Sequence, residues 1–234
     1  MFKKIHTLLH NVFSHAMLWT LRILVYAAFR PKLIFSTSEA KARFPQGPCV
    51  LVSNHINTLD VAPIETLLHK KRFYGMMAAD IIRDYKLIGW FISFAPSITI
   101  DRHNVSLSWL REGRMRLQEG HSIFMCPEGH CNANKVITEF KPGFVALASK
   151  ANVPVVPLYH NGEFNYFFGK RFRLIVGEPI HLNTPADGLT DAFLRSEAVR
   201  TEAIVRSLEK QLNGFNRTDK KQILSNCLVF KLIP

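Results

Sequence analysis

The sequence predicts an α/β fold, in which a central mixed sheet is covered by helices and an amphipathic helix precedes the sheet. Short apolar runs alternate with helical patterns along the chain, as in sheets flanked by helices. Polar residues follow three of these runs, at His55, Arg102 and Glu128. Because ligands in open α/β sheets bind beyond the carboxyl ends of the strands, this placement indicates one shared site.

Length and composition are typical of a folded domain that has an anionic partner. The 234 residues can bury a substantial core in a single domain, and an apolar content of 47% excludes a disordered chain. The net charge of +12 indicates nucleic acid, an anionic membrane surface or a phosphorylated substrate as the partner. The four cysteines form no CxxC pair, which favours a reducing compartment without disulfides.

Residues 1–32 are predicted to form a separate amphipathic helix. Polar residues recur at helical spacing on one narrow face: Lys4, Thr7, Asn11, Ser14, His15 and Arg22. Arg22 interrupts the apolar stretch, whereas a spanning helix needs about 20 mostly uncharged residues, and it also argues against a cleaved signal peptide. We expect an interfacial helix whose basic residues lie near lipid headgroups: Lys3, Lys4, Arg22, Arg30 and Lys32. The alternative is a helix packed on its own domain.

Residues 33–213 form the predicted domain, and its first half alternates strands with helices. The run Cys49-Val50-Leu51-Val52 is continuously apolar, which is typical of a buried strand. The elements that follow are a helix over 58–69, a strand over 72–77, an aromatic segment over 85–94, a strand over 97–100 and a basic helix over 106–118. The aromatic segment is most simply part of the core.

The second half of the domain continues the alternation. An apolar strand over 122–126 ends abruptly at Pro127-Glu128-Gly129. The later elements are a helix over 143–151, a proline-bracketed strand over 153–158, a strand over 173–176 and a helix over 190–212. Residues 214–234 have no clear period, and we expect them to form a tail.

The most informative stretch is the junction between the first strand and the first helix of the domain. In one continuous helix His55 and Asp60 would point about 140° apart, but they converge if His55 lies in the turn and Asp60 in the first helical turn. There the helix dipole favours an ionised carboxylate, which would hold the imidazole so that its other nitrogen acts as a general base. Alternatively, Asn57 to Asp60 is only a capping box.

Several motifs together resemble those of the glycerolipid acyltransferase family, typified by bacterial 1-acylglycerol-3-phosphate acyltransferases. The resemblance covers about residues 48–182 and follows the order of the family's blocks. The matching residues are Asn54-His55 to Asp60 (NHxxxxD), Ile100-Asp101-Arg102, Pro127-Glu128-Gly129 (PEG), Phe140-Lys141-Pro142-Gly143 and the proline-bracketed strand Val153 to Pro157. Each block alone is weak, but five blocks in order are a strong signal.

The resemblance implies transfer of a fatty acyl group from acyl-CoA or acyl carrier protein, as co-substrate, to a hydroxyl of a glycerolipid. His55 would be the general base and Asp60 its orienting anion. Family precedent places Arg102, Glu128, Gly129 and Lys141 at the acceptor, and the aromatic segment could line an acyl channel. We expect lysophosphatidate as the acceptor, with a lysophospholipid or glycerol-3-phosphate as alternatives, and an enzyme without cofactor or metal on the cytoplasmic face of a membrane.

Two departures from the family pattern bear on the acceptor. Pro96 and Thr99 stand where the second block usually has glycine and an aromatic residue. Cys131 stands where the PEG block usually continues to an arginine. That exchange removes one bidentate phosphate ligand, so the identity of the acceptor stays open.

Other classes of protein fit the sequence less well. A nucleic-acid-binding module would explain the charge, but the basic residues are spread along the chain and nothing resembles a zinc finger, an RNP motif or a P-loop. A metal hydrolase would need the paired short spacings of a zinc site, and a serine hydrolase would need a nucleophile elbow, which Gly120 to Phe124 does not form. A membrane-binding relative without activity remains the non-enzymatic alternative.

Overall fold

The structure, a computed structural model, describes the backbone of residues 2–79, 96–100, 107–165, 169–185 and 188–229. Side chains of the two terminal helices are described from Ala16 onwards and as far as Phe215. The aromatic segment predicted over 85–94 lies outside the described residues.

A seven-stranded sheet forms the centre of the described structure. Its strands are β1 (Lys32–Phe35), β2 (Val50–Ser53), β3 (Phe73–Ala78), β4 (Ser97–Ile100), β5 (Ser122–Met125), β6 (Val155–His160) and β7 (Arg173–Val176). They lie in the order β1-β7-β6-β2-β5-β3-β4, and each neighbouring pair is parallel except β6 and β7. The mixed sheet predicted from the sequence is therefore confirmed.

Helices cover both faces of this sheet. They are α1 (Phe2–Phe29), α2 (Ser38–Ala42), α3 (Val61–Leu68), α4 (Ser108–Gln118), α5 (Gly143–Ala151) and α6 (Asp191–Val229). Successive side chains of a strand point to opposite faces, so Val50 and Val52 pack in one core with residues of α5 and α6. Leu51 packs in a second core with residues of α1 and α3.

Helix α1 packs on the domain with one side and exposes apolar side chains on another. Val25 and Phe29 are buried in the core of the α3 side. Arg22 does not face outward as predicted, because its Nε donates to Glu65 of α3 over 3.1 Å and its side chain is only 16% exposed. The outer side carries four large apolar residues that are more than half exposed: Trp19, Ile23, Leu24 and Tyr26.

The packed-helix alternative thus holds for the second half of α1, and the exposed apolar face agrees with the interfacial alternative. In the part of the chain that the structure describes, no helix combines the length and apolarity needed to cross a membrane.

Three elements differ from the sequence prediction. Strand β1 and helix α2 were not predicted, since β1 is a four-residue strand at the sheet edge and α2 spans five residues. The last helix continues to Val229 instead of ending at Leu212. Gly214 lies inside it, and a glycine in a helix interior costs only about 1 kcal/mol, while no proline follows before Val229.

Candidate active site

His55 and Asp60 converge directly beyond the carboxyl end of β2. The chain leaves the sheet at Ser53, turns through His55 and enters a short 3₁₀-helix, Thr58–Asp60, which leads into α3. His55 Nδ1 lies 3.0 Å from Asp60 Oδ2. The spacing that predicted convergence in a turn therefore predicted the geometry correctly.

Asp60 orients His55 and caps the helix with the same oxygen. Its side chain is fully buried, and Oδ2 also accepts hydrogen bonds from the backbone amides of Ile56 at 2.7 Å and Asn57 at 2.9 Å. The Asn57 side chain completes the capping box by accepting from the Leu59 amide at 2.9 Å. The capping alternative and the orienting alternative are therefore both realised, and the cap fixes where the carboxylate points.

A second histidine, which the sequence analysis missed, also contacts this carboxylate. His160 lies at the end of β6, is fully buried, and places Nε2 3.3 Å from Asp60 Oδ2 and 3.2 Å from the Asn54 carbonyl. Its Nδ1 accepts from the Gly162 amide at 3.2 Å, so Nε2 carries the proton and donates. Because β6 pairs in parallel with β2, both strands end at the same edge and deliver these residues together.

The surroundings shift the pKa values of the pair in opposite directions. Burial alone would raise the pKa of Asp60, but hydrogen bonds from His160 and His55 outweigh it and hold that pKa well below its usual range. Burial alone would lower the pKa of His55, but its hydrogen bonds with Asp60 and Cys131 raise that pKa to about 9. A buried anion beside an imidazole therefore stabilises the imidazolium.

Glu128 supports the loop of His55 from beneath. Its side chain is buried, with Oε1 accepting from the His55 amide at 2.8 Å and Oε2 accepting from the amide and hydroxyl of Thr138 at 2.8 and 2.7 Å. The resemblance placed Glu128 at the acceptor, but these three donors occupy the carboxylate within the protein. The geometry therefore favours a positioning role for Glu128.

Gly129 and Lys141 lie side by side next to Glu128. Gly129 has a φ of +75°, and a Cβ built on it would lie 2.8 Å from Lys141 Nζ. The positive φ therefore favours glycine at this turn, which the flexible end of the Lys141 side chain crosses closely. Lys141 is exposed, so its ammonium is available to an anion near this turn.

Cys131 lies on the open side of His55. Its Sγ is 3.0 Å from His55 Nε2, the nitrogen that does not face Asp60, and the residue is exposed. The next residue, Asn132, donates its amide to the His55 carbonyl at 2.8 Å. From the sequence, Cys131 was noted at the position of a family arginine, and this contact was not predicted.

Comparison with known proteins gives the same assignment as the motifs. The acyltransferase family model matches residues 35–161, which include the whole His55–Asp60 loop and the PEG turn. The chain belongs to the acyltransferase family.

Several curated relatives of this acyltransferase are 1-acyl-sn-glycerol-3-phosphate acyltransferases. A chloroplastic enzyme of Brassica napus is 33% identical over 113 residues, 47% of this chain and 32% of the relative. An enzyme of Chlamydomonas reinhardtii is 28% identical over 180 residues, 73% of this chain and 51% of the relative. The human beta enzyme is 25% identical over 178 residues, 71% of this chain and 64% of the relative. The chain thus spans 32% to 64% of the length of these relatives.

The fold of this acyltransferase matches that of a solved family member. The crystal structure of the 1-acyl-sn-glycerophosphate acyltransferase PlsC from Thermotoga maritima aligns with a TM-score of 0.58 at 17% identity, over 82% of this chain and 79% of that chain. At that identity the likeness establishes the fold alone.

Five of the six site residues predicted for this acyltransferase lie close together in the structure. His55, Asp60, Glu128, Gly129 and Lys141 lie around the ends of β2 and β5, as described above. Arg102, the other cation predicted at the acceptor, lies outside the described residues. Within the described ranges, no group of three or more histidine, cysteine, aspartate or glutamate side chains is arranged to hold a metal ion.

Proposed function

We propose that the protein transfers a fatty acyl group from an acyl thioester, acyl-CoA or acyl carrier protein, to the hydroxyl of lysophosphatidate in phospholipid synthesis. The observation that carries this proposal is the Asp60–His55 pair beyond β2, with His55 Nε2 directed away from Asp60 towards the exposed Cys131. The names of the curated relatives support the same substrate class.

The reaction needs a base for the acceptor hydroxyl. The neutral imidazole of His55, whose share grows as the pH rises towards its pKa of about 9, takes that proton at Nε2 while the hydroxyl oxygen attacks the thioester carbonyl. The imidazolium then protonates the departing thiolate. Asp60 keeps the Nδ1 proton in place and stabilises the imidazolium through the hydrogen bond of 3.0 Å. A positioned acid–base group contributes about 10²- to 10⁴-fold to such a rate.

The acceptor phosphate is assigned to Arg102 and Lys141. Lys141 is exposed beside the Gly129 turn, next to the loop that holds His55. Cys131 supplies no cation where the family usually has arginine, and one missing charge-assisted contact costs about 1.5–3 kcal/mol. Because Arg102 and Lys141 are retained, a phosphomonoester such as lysophosphatidate remains our first choice. A diester lysophospholipid, whose weaker anion needs fewer cations, or glycerol-3-phosphate is the alternative.

Helix α1 is assigned to the membrane surface on the cytoplasmic side. Its exposed apolar residues, Trp19, Ile23, Leu24 and Tyr26, would enter the interface, and the net charge of +12 favours anionic lipid. A lipid acceptor and a long-chain acyl group both reside in or near such a surface. This placement brings the enzyme to its substrates.

An acceptor panel tests the proposal. Purified protein is incubated with labelled acyl-CoA, or acyl carrier protein, and lysophosphatidate, lysophospholipids or glycerol-3-phosphate, and the products are identified by mass. We expect phosphatidate as the main product. Failure to acylate any acceptor with either donor would overturn the proposal.

The phosphate assignment has its own matched control. We expect Arg102→Ala to raise the KM for lysophosphatidate by roughly ten- to a hundredfold, the equivalent of a lost charge-assisted contact, while the KM for the acyl donor changes little. Arg111→Ala, which removes an exposed arginine of α4, should change neither. An unchanged acceptor KM in Arg102→Ala would show that the phosphate binds elsewhere.

A further inference from the structure

Helix α6 contacts the segment 137–141, whose last residue is the proposed phosphate ligand, through two charged side chains. Glu202 Oε2 accepts from the Phe140 amide at 3.1 Å, and Glu202 Oε1 accepts from Arg206 Nε at 2.8 Å. Arg206 Nη2 donates to the Ile137 carbonyl at 2.7 Å. The two side chains, called the Glu202–Arg206 pair below, therefore bind the backbone of this segment at two points.

These contacts lie in the interior of the protein. The Glu202 side chain is 16% exposed, and Ile137 and Phe140 are buried in the same core as residues of α6. The segment has no regular secondary structure, so its backbone groups have no partners in a helix or strand. A buried amide without an acceptor is costly, and Glu202 supplies that acceptor for Phe140.

The PEG turn holds Lys141 from another element. The Lys141 amide donates to the Pro127 carbonyl at 3.0 Å, so the consecutive amides of Phe140 and Lys141 are bound by α6 and by the turn after β5. A lysine side chain is a flexible four-carbon stem. The protein can therefore restrict the position of the ammonium chiefly through the backbone that carries it.

The charges of the Glu202–Arg206 pair also suit this position. A lone carboxylate close to Lys141 in the chain fold would weaken the attraction of the lysine for a phosphate. Because Glu202 is matched by Arg206 at 2.8 Å, the pair adds no net negative charge. The pair can thus bind the backbone before Lys141 without opposing an anionic acceptor.

We propose that Glu202 and Arg206 are positioning residues for the acceptor, because they hold the backbone of residues 137–140 where Lys141 meets the acceptor phosphate. This inference rests on the proposed function, since the phosphate belongs to the acceptor of that reaction. The family model matches residues 35–161, so the pair lies outside the region that carries the family motifs.

A second ion pair on α6 provides a matched control. Glu197 Oε2 accepts from Arg200 at 3.0 Å, and the side chain of Glu197 is 17% exposed, against 16% for Glu202. Among the described residues, the Glu197 carboxylate makes no hydrogen bond to segment 137–141. Glu197→Ala therefore removes a similarly buried carboxylate from the same helix and leaves the segment untouched.

Steady-state kinetics test the positioning role. We expect Glu202→Ala to raise the KM for lysophosphatidate by roughly three- to tenfold, as for the loss of one hydrogen bond, while kcat and the KM for acyl-CoA change little. Glu202→Gln keeps one acceptor oxygen and should fall between Glu202→Ala and wild type. Glu197→Ala should match wild type, and circular dichroism checks that each variant is folded.

A double-mutant cycle separates positioning of Lys141 from a general effect on the fold. In the background of Lys141→Ala no ammonium is left to position, so adding Glu202→Ala should raise the acceptor KM no further. A full additional increase in that background would overturn the proposal. So would an unchanged acceptor KM in Glu202→Ala alone, in an enzyme that acylates lysophosphatidate, and the proposed function would then stand.

Two measurements decide the inference without turnover. Hydrogen exchange across segment 137–141 should be faster at the Phe140 amide in Glu202→Ala than in Glu197→Ala. The Kd of a short-chain lysophosphatidate, from titration calorimetry, should rise by the same three- to tenfold in Glu202→Ala. If wild type acylates no acceptor, the proposed function fails, and a raised Kd still supports the positioning role. An unchanged Kd would overturn it.

Discussion

The charge of Asp60 sets how tightly His55 holds its proton. Against the opposing effect of burial, hydrogen bonds with Asp60 and Cys131 raise the pKa of His55 to about 9. We predict that Asp60→Asn lowers this pKa, because the imidazolium loses its buried counter-charge. NMR titration of the imidazole carbons of His55 measures the shift directly. An unchanged midpoint in Asp60→Asn would contradict the role assigned to the carboxylate.

The same shift links stability to pH. Because the pKa of His55 rises from 6.5 to about 9 on folding, the protonated form is stabilised in the folded state. That contribution is fully present below pH 6.5 and is lost as the pH rises through about 9. The melting temperature of wild type should therefore fall more steeply over this interval than that of His55→Ala. If the melting temperatures of the two proteins changed with pH in parallel, this contribution of His55 to stability would be contradicted.

At the scale of residues, sequence patterns predict local geometry well and long-range contacts poorly. The spacing of His55 and Asp60 was enough to predict their convergence, since both lie in one turn. His160 and Cys131 reach the same site from β6 and from the loop after β5. Their contacts depend on which strands are neighbours, which no local pattern encodes.

The PEG turn acts as a support for the His55 loop. Glu128 accepts three hydrogen bonds there while buried. Glu128→Gln replaces one acceptor oxygen with an NH₂ donor and removes the charge, so we predict a loss of roughly 1.5–3 kcal/mol in the free energy of unfolding. Urea unfolding measures it, with the exposed Glu119→Gln as control. Equal stabilities of the two variants would contradict the supporting role.

Helix α1 offers a direct test of membrane binding. Burying a large aliphatic side chain contributes about 1.5–3 kcal/mol, so Ile23→Ser with Leu24→Ser should weaken binding to anionic vesicles by at least roughly a hundredfold. Val199→Ser on α6 is the matched control, because Val199 is 62% exposed and Ile23 is 65% exposed. Vesicle sedimentation reports both. If the double variant bound anionic vesicles as tightly as wild type, the proposed contact of α1 with the membrane would be contradicted.

At the scale of elements, buried strands are predicted from the sequence more accurately than very short elements. The central strands β2 and β5 are continuous apolar runs and were predicted to within about a residue, as expected for strands covered on both faces. The short edge strand β1 and the five-residue helix α2 carry no such signal. The sequence prediction ended α6 too early because a glycine such as Gly214 is typical of a helix C-terminus. The helix in fact continues to Val229.

At the scale of the whole molecule, the sheet order creates the site. Strands β6, β2 and β5 are adjacent and parallel, so His160, His55 and Glu128 emerge at one edge. The sequence predicted that strand ends would share a site, because that rule is general for α/β sheets. The order of the strands results from pairings between distant segments, and the sequence alone did not provide it.

The rate of acyl transfer by His55→Ala tests the proposed chemistry most directly. With saturating acyl-CoA and lysophosphatidate, we predict a fall of at least about 1,000-fold, within the range for loss of a positioned base, while circular dichroism shows a folded protein. His181→Ala, which removes an exposed histidine after the bridge residue Ile180, should retain the wild-type rate. Near-normal turnover by folded His55→Ala would contradict the role of His55 as the base.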